Sequence, residues 1–309
     1  MATDTPTLSP AETLAWEEEH RSRAAIAAWA AGILTLIGAI VTSIAFSGLP
    51  KFEDRTVTII DGLGDLAAGR PIPAGRAVLQ LAYIGDHPAG FLVGPFLSAI
   101  GAVLLYFALA YLFRAIRARS SSLSQLVLIA LATGAVTYAI GTALVGIMRV
   151  VEGANLAADA TNRDALEALQ SGPMVVGTII QLLGSFILGF AVVMISLNGM
   201  RTGLLTRFVG IIGMVAGATF VLPLDQQGII RSFWIGAVGF LIAGRWPSPV
   251  PAWRTGSSEP WPSAAEIQAQ KAAAKQAAGG PVPPAAPSPA PPADGELTQG
   301  QRRKKRKRR

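Results

Sequence analysis

The stretch Pro173–Leu197, PMVVGTIIQLLGSFILGFAVVMISL, contains no charged residue and decides the fold class. Two more apolar segments follow it, Phe208–Leu224 and Ile229–Ala243, and only the short polar turn Asn198–Arg207 precedes the first of them. A run of about 18 or more apolar residues can cross about 30 Å of hydrocarbon as a helix. The sequence therefore predicts an all-α integral membrane protein.

Three further apolar segments complete a predicted six-span helical bundle. The spans cover about residues 24–46, 90–113, 123–148, 173–197, 208–224 and 229–243, within a membrane domain at 24–245. A polar tail at 1–23 precedes this domain, and a low-complexity Pro/Ala-rich tail at 246–309 follows it. The last two spans are short for a bilayer, so they either tilt little or are joined by a turn, Asp225–Gly228, that dips toward the hydrocarbon.

The short loops predict the orientation. Arginines cluster before the first span, in the turn 114–122, in the turn 198–207 and after residue 243, whereas the turn 225–228 has no basic residue. Because cytoplasmic loops carry an excess of Lys and Arg, both termini are expected in the cytoplasm and the protein in the cytoplasmic membrane. Within the long loop 47–89, Pro73–Ile84 has helical apolar spacing and predicts a short surface helix.

The formal charge of +7 is a property of the C-terminal tail. The last eight residues are all basic: Arg302, Arg303, Lys304, Lys305, Arg306, Lys307, Arg308 and Arg309. Adjacent like charges repel, so the tail is expected to be disordered. The cluster either fixes topology and aids solubility, binds anionic lipid headgroups, or binds RNA phosphates.

The chain lacks the residues that most enzymes and metal sites need. It has no cysteine, which excludes disulfides, thiol nucleophiles and Cys-ligated metals. His87 is the only histidine beyond the N-terminal tail, and it suits a turn better than a metal site. No catalytic set and no phosphate-binding loop is present, so no enzyme activity, catalytic residue, metal or cofactor is predicted.

Small residues recur at intervals of four within the spans. Gly213 and Gly217 form a GxxxG pattern, and Thr137 and Gly141 share a face of the third span. Small residues allow helices in lipid to approach closely, which favours a packing role. The alternative is that spans rich in alanine and glycine produce these spacings by chance.

Polar residues in the spans are few, and Arg231 is the one charge within an apolar run. Asp225 lies six residues earlier, about 240° away if both are on one helix, so an ion pair is poorly aligned and Asp225 suits a helix N-cap. Arg231 either snorkels or is structurally paired, or it is a functional charge lining a polar cavity.

Three other polar residues are candidates for contacts at the edge of the bundle or within it. Arg149 and Glu152 are three residues apart, which suits an interfacial ion pair, with a ligand contact as the alternative. Gln181 is expected to form a hydrogen bond between helices.

Several segments together resemble a known group. They are Met148–Glu152, MRVVE; Leu183–Phe190, LGSFILGF; and Gly203–Gly217, GLLTRFVGIIGMVAG. Over roughly residues 24–245 the chain resembles bacterial multi-pass membrane proteins that are common in actinobacteria and grouped as a domain of unknown function. The resemblance implies an all-helical membrane fold and no particular activity. Separately, the basic tail resembles those of membrane insertases that dock ribosomes.

Two functions follow as expectations. The first is a non-enzymatic integral membrane protein of unknown biochemical role, whose partners are the lipid bilayer and, through its tail, anionic lipid or RNA. The alternative is a small-solute or ion transporter with a polar path near Arg231 and Gln181. A water-filled cavity that reaches both side chains favours transport, whereas a dry, closely packed centre favours tethering.

Overall fold

A computed structural model describes residues 9–50, 67–69, 75–120, 122–222, 224–225, 227–247, 250–261 and 264–277. These residues form helices and no strands, which confirms the predicted all-α class. The helices are α1 (Pro10–Ser47), α2 (Arg76–Asp86), α3 (Pro88–Arg119), α4 (Leu126–Ala154), α5 (Asn162–Leu169), α6 (Gly172–Arg201), α7 (Arg207–Thr219), α8 (Ile229–Ile242), α9 (Ala252–Thr255) and α10 (Ala264–Ala277). The chain divides into two compact units, Met1–Trp261 and Pro262–Arg309, and α10 belongs to the second.

Four helices are long and apolar enough to cross a membrane, namely α1, α3, α4 and α6, with 38, 32, 29 and 30 residues. Their outward faces carry large exposed apolar side chains, such as Ile33, Ile37, Ile40 and Ile44 on α1. Soluble proteins rarely expose apolar surface on this scale, whereas hydrocarbon requires it. The chain is therefore an integral membrane protein.

The helices α7 and α8 are shorter, with 13 and 14 residues. At 1.5 Å per residue each is about 20 Å long, less than the hydrocarbon thickness of about 30 Å. Their outward residues Phe208, Ile211, Val215 and Phe233 are nevertheless exposed and apolar, as on the long helices. Both helices therefore share the apolar surroundings, while six complete crossings stay a prediction.

The six apolar helices form a ring. Each packs on the next one along the chain, and α8 returns to pack on α1. Neighbours are antiparallel: Gly38 of α1 meets Gly94 of α3, and Ala31 of α1 meets Gly101. We call the side where α1 begins the amino-terminal side. The other side, which carries residues 48–50, 75–87, 155–171, 220–222 and 227–228, is called the loop side.

The predicted small residues lie where helices touch. A Cβ added to Gly217 of α7 would lie 2.8 Å from the carbonyl oxygen of Gly189 on α6. One added to Gly184 of α6 would lie 2.7 Å from the carbonyl carbon of Thr137 on α4. Gly213 faces Ser196 and Trp234, and a Cβ on Gly141 would lie 2.8 Å from the Cβ of Gln181. Backbones at these points approach as closely as the absence of a side chain allows.

Two short helices cover the loop side, and the first lies near the position that the sequence predicts. In α2, Leu81 and Ile84 are buried, and a Cβ on Gly85 would lie 2.5 Å from the carbonyl carbon of Gly153 on α4. Helix α5 begins with a capping box, in which the amide of Thr161 donates to Asp164 at 2.7 Å. The hydrogen bonds from Thr161 lower the pKa of the exposed Asp164 carboxyl.

The segment after α8 folds back over the amino-terminal side. The indole nitrogens of Trp253 and Trp261 donate to the carbonyl oxygens of Leu204 and Leu205, at 3.0 and 2.8 Å. The first compact unit ends at Trp261. The two tryptophans therefore attach a segment that is otherwise polar to the helices of this unit. The basic cluster 302–309 lies outside the described residues.

Candidate functional site

A polar cavity of about 300 Å³ lies inside the ring. Its lining includes eight side chains that can donate hydrogen bonds: Thr35, Thr42, Ser98, Tyr138, Thr142, Arg149, Gln181 and Arg231. None of the described residues that line it is acidic. It extends from residues at the loop-side ends of helices, such as Arg149, to mid-helix residues such as Leu105. Its volume lies at the lower limit of ordinary ligand sites, about 300–1,000 Å³.

Arg149 of α4 has no acidic partner in this cavity. Its guanidinium carbon lies 5.5 Å from the ring centre of Phe46, and no carboxylate of the described residues is within 4.0 Å. The predicted pair with Glu152 is not formed, because Glu152 accepts a hydrogen bond from Ser171 Oγ at 2.6 Å instead. The start of α6 thus draws the carboxylate away from the arginine. Arg149 is half-buried and has no counter-charge among the described residues, so the site favours an anion.

Arg231 is paired with Asp225, which corrects the sequence argument against that pair. The distance from Arg231 Nε to Asp225 Oδ2 is 3.4 Å, and Nη2 of the same guanidinium donates to the Asp225 carbonyl at 2.9 Å. The 240° argument was wrong because it placed Asp225 on the helix. Asp225 precedes the helix in a turn, and the guanidinium bends back to reach it.

Asp225 also caps α8, although it is not the N-cap residue. The N-cap is Gly228, whose φ of 66° suits a residue without a side chain. From three residues earlier, the Asp225 carboxylate accepts from the amides of Ile230 and Arg231 at 3.2 and 3.0 Å. The side chains of Arg231 and Asp225 are 15% and 4% exposed. The charge of Arg231 is therefore neutralised, and the cavity keeps the unbalanced charge of Arg149.

Close packing between α4 and α6 positions the amide in the cavity. Because Gly141 has no side chain, the backbone of α6 at Gln181 lies directly against α4. The neighbouring residue Thr142 can then accept a hydrogen bond from Gln181 Nε2, at 3.2 Å. The predicted interhelical hydrogen bond of Gln181 is present, and both residues line the cavity.

A different arrangement closes the amino-terminal side. There Glu17 of α1 and Arg119 of α3 form an ion pair, and both side chains are 0% exposed. Arg119 Nη2 donates to Glu17 Oε2 at 3.1 Å and to the Ala252 carbonyl at 2.7 Å. Tyr111 donates to the Glu17 carbonyl at 3.2 Å. These partners come from α1 and from the segment at Ala252, so they join α3 to both.

Aromatic rings cover this ion pair. Tyr111 lies between Trp16 and Trp253, with ring centres 5.3 and 6.1 Å away and nearly parallel planes. The guanidinium of Arg119 lies 5.7 Å from the ring centre of Trp253. This cluster, consisting of Glu17, Arg119, Tyr111, Trp16 and Trp253, is called the aromatic plug.

Sequence reasoning did not predict the plug or the hydroxyls of the cavity. Glu17 belongs to an acidic run and Arg119 to a basic turn, so each had an ordinary explanation as a solvated charge. The available signal was the pair of tryptophans in an otherwise polar C-terminal segment, Trp253 and Trp261. The cavity hydroxyls come from separate helices, so no local pattern connects them.

The comparisons with known proteins do not extend this description. No family model matches the chain, and no curated protein or solved structure is significantly similar to it. Within the described residues, no group of three or more His, Cys, Asp or Glu could hold a metal ion.

Proposed function

We propose that the protein is a non-enzymatic carrier that binds a small anionic solute in the polar cavity and moves it across the membrane. The observation that supports this most is Arg149, a cation that has no acidic partner among the described residues and lies in a cavity whose described lining holds no carboxylate. Ionisable residues inside membrane helices usually mark the path of a substrate or an ion. A carboxylate or phosphate group on the solute would supply the missing charge.

The neighbouring donors support a small oxyanion. Hydroxyls of Thr35, Thr42 and Ser98 come from the α1 and α3 walls, and the amide of Gln181 comes from the opposite wall. Hydrogen bonds from several walls can hold the oxygens of one anion, and charge-assisted bonds of this kind are the strong ones. In this proposal Arg231 orients the site through its paired guanidinium, while Arg149 neutralises the solute.

Binding is tested by thermal unfolding of the full chain in detergent. Phosphate, sulfate, acetate and succinate are compared at constant ionic strength with gluconate as the background anion. At 100 times its dissociation constant, a bound anion adds about 2.7 kcal/mol of stability. At least one of the four is expected to raise the melting temperature of wild type, and not of Arg149→Gln.

Arg201→Gln is the matched control, because it removes one exposed arginine outside the cavity. It should respond to anions as wild type does. The proposal fails if none of the four anions stabilises wild type, or if Arg149→Gln responds as strongly as Arg201→Gln.

Transport is tested separately from binding. The full chain is reconstituted into proteoliposomes, and uptake of the radiolabelled anion that stabilises it is compared with uptake by Arg149→Gln. Uptake above that of the variant supports a carrier. Binding without any uptake would contradict transport and leave a membrane-bound anion receptor.

The tail suggests a second candidate function, tethering to anionic lipid or RNA. It rests on the eight consecutive basic residues from Arg302 to Arg309. Crosslinking to RNA in cells is compared between the full chain and a chain that ends at Gly300. Loss of crosslinking in the shorter chain supports RNA binding, and equal crosslinking in both eliminates it.

In the proposed orientation the chain crosses the cytoplasmic membrane six times, so that both termini lie in the cytoplasm. It is supported by the arginines of the turns 114–122 and 198–207, which lie on the amino-terminal side. Reporter fusions after residues 122, 158, 202 and 226 test it. Alternating cytoplasmic and external signals are expected, and cytoplasmic signals at both 202 and 226 would contradict the last two crossings.

A further inference from the structure

We propose that the groove between α1 and α3 on the amino-terminal side is a binding site for an anionic phospholipid. The groove has a volume of about 390 Å³ and is separate from the polar cavity. Its cationic residues are Arg23 and Arg114, one from each helix, with His20 beside them. The aromatic plug adjoins it, since Trp16 and Tyr111 line both.

The two arginines are available to an anion. Both are exposed, and no carboxylate of the described residues lies within 4.0 Å of either guanidinium. The nearest acidic contact in the groove belongs to His20, whose Nδ1 lies 3.9 Å from Glu19 Oε2. A phosphodiester placed between Arg23 and Arg114 would therefore meet two uncompensated positive charges.

The rest of the groove suits acyl chains rather than water. Ala24, Ala27 and Ala110 form a shallow apolar wall beside Phe107, which is 55% exposed. Ile26, next to this wall on α1, is 62% exposed. The wall thus continues into the apolar outer surface of the bundle. A water-soluble anion would have to lie against this apolar wall. A phospholipid can instead place its phosphate between the arginines and its acyl chains along the wall.

The level of the groove fits a headgroup. Arg23 directly precedes the apolar part of α1, and Arg114 directly follows that of α3. Tyr106 and Tyr111 flank the groove, and tyrosine and tryptophan are enriched at the boundary between hydrocarbon and water. The amino-terminal side is also the side where the positive-inside pattern places anionic lipid.

The test is lipid binding to the intact chain by native mass spectrometry, with dioleoyl phosphatidylglycerol and dioleoyl phosphatidylcholine as probes. The double variant Arg23→Gln/Arg114→Gln is compared with Arg201→Gln/Arg254→Gln, which removes the same charge from exposed arginines outside the groove. Basic residues near a membrane surface contribute about 1 kcal/mol each, so the first variant, which lacks two of them, should bind phosphatidylglycerol about thirtyfold more weakly. The control should bind as wild type does.

A second variant separates the groove from the loss of charge. Ala27→Trp fills the apolar wall and keeps both arginines, and it should also weaken phosphatidylglycerol binding. Every variant keeps the basic tail, so binding by the tail cancels in the comparison. Each variant is first required to melt within about 2 °C of wild type without added lipid, less than the shift from 1 kcal/mol.

Four results would overturn the proposal. One is equal phosphatidylglycerol binding by both double variants, and another is equal binding of phosphatidylcholine to wild type. The third is displacement of the lipid by soluble glycerol phosphate, which would assign the arginines to a water-soluble anion. A wild-type dimer that the Ala27→Trp variant loses, with no lipid bound, would show that a second copy occupies the groove instead.

Discussion

On the amino-terminal side Arg119 is buried with Glu17, while on the loop side Arg149 lines a cavity and has no acidic partner among the described residues. Both are arginines near the ends of long helices, and their sequence contexts look equally ordinary. A charge that is paired with a carboxylate from a neighbouring helix closes the bundle, because the opposite charge is supplied from within. A charge without such a carboxylate coincides in this protein with a cavity.

The largest expected effect breaks the closed side. Glu17→Gln removes the counter-charge of Arg119, and breaking a buried pair in this way costs about 3–5 kcal/mol. The melting temperature in detergent should fall by about 10 °C.

The exposed neighbour serves as the control, since Glu18→Gln should leave the melting temperature unchanged. In the double variant Glu17→Gln/Arg119→Met, part of the loss should return because the unpaired cation is gone. If Glu17→Gln and Glu18→Gln melt at the same temperature, the ion pair of Glu17 with Arg119 does not stabilise the amino-terminal side, and the contrast with the loop side is wrong.

A smaller effect is expected where α6 and α7 pack closely at Gly217. Gly217→Ala places a methyl group 2.6 Å from Val193 Cγ2 and 2.8 Å from the Gly189 carbonyl, so α6 and α7 must separate. The expected loss is about 1–3 kcal/mol, seen as a lower melting temperature and a lower folded yield in detergent.

Gly236→Ala is the matched control, because a Cβ there has no atom within 4 Å. It makes the same glycine-to-alanine change within an apolar helix, where alanine has the higher helix propensity, and it should not lower the melting temperature. Equal losses in both variants would mean that the contact at Gly217 does not hold the wall together.

The smallest effect has the opposite sign. Arg149→Met removes an unpaired cation from the loop side, which relieves desolvation and forfeits the contact with Phe46, worth about 0.5–2 kcal/mol. Without added anion, the melting temperature should therefore be unchanged or slightly raised. Arg119→Met, by contrast, leaves the Glu17 carboxylate buried and should melt well below wild type. A marked fall in the melting temperature of both Arg149→Met and Arg119→Met would show that Arg149 has a structural partner.

The fold class followed from the sequence, and so did the approximate place of most helices. Apolar runs and the helical spacing before Asp86 both depend on residues close together in the chain. The Arg231–Asp225 pair could not be judged this way. Whether Asp225 belongs to the helix or to the turn before it depends on where α8 begins.

The composition of the cavity was also out of reach of local patterns. Gln181 and Arg231 were candidates because polar residues are rare in apolar runs, but Thr35, Thr42 and Ser98 look like ordinary residues of their helices. Glu17 and Arg119 are separated by about one hundred residues, and only the antiparallel pairing of α1 with α3 brings them together.

The sequence by itself determined an all-helical chain that prefers hydrocarbon, because burial of apolar side chains depends on composition along each segment. Only the tertiary structure decided which charges are neutralised. Glycine contacts set how closely each pair of helices approaches, and in the packed bundle a carboxylate lies at Arg119 whereas none of the described residues brings one to Arg149. A counter-charge acts over a few ångströms, so its presence is a property of the packed bundle.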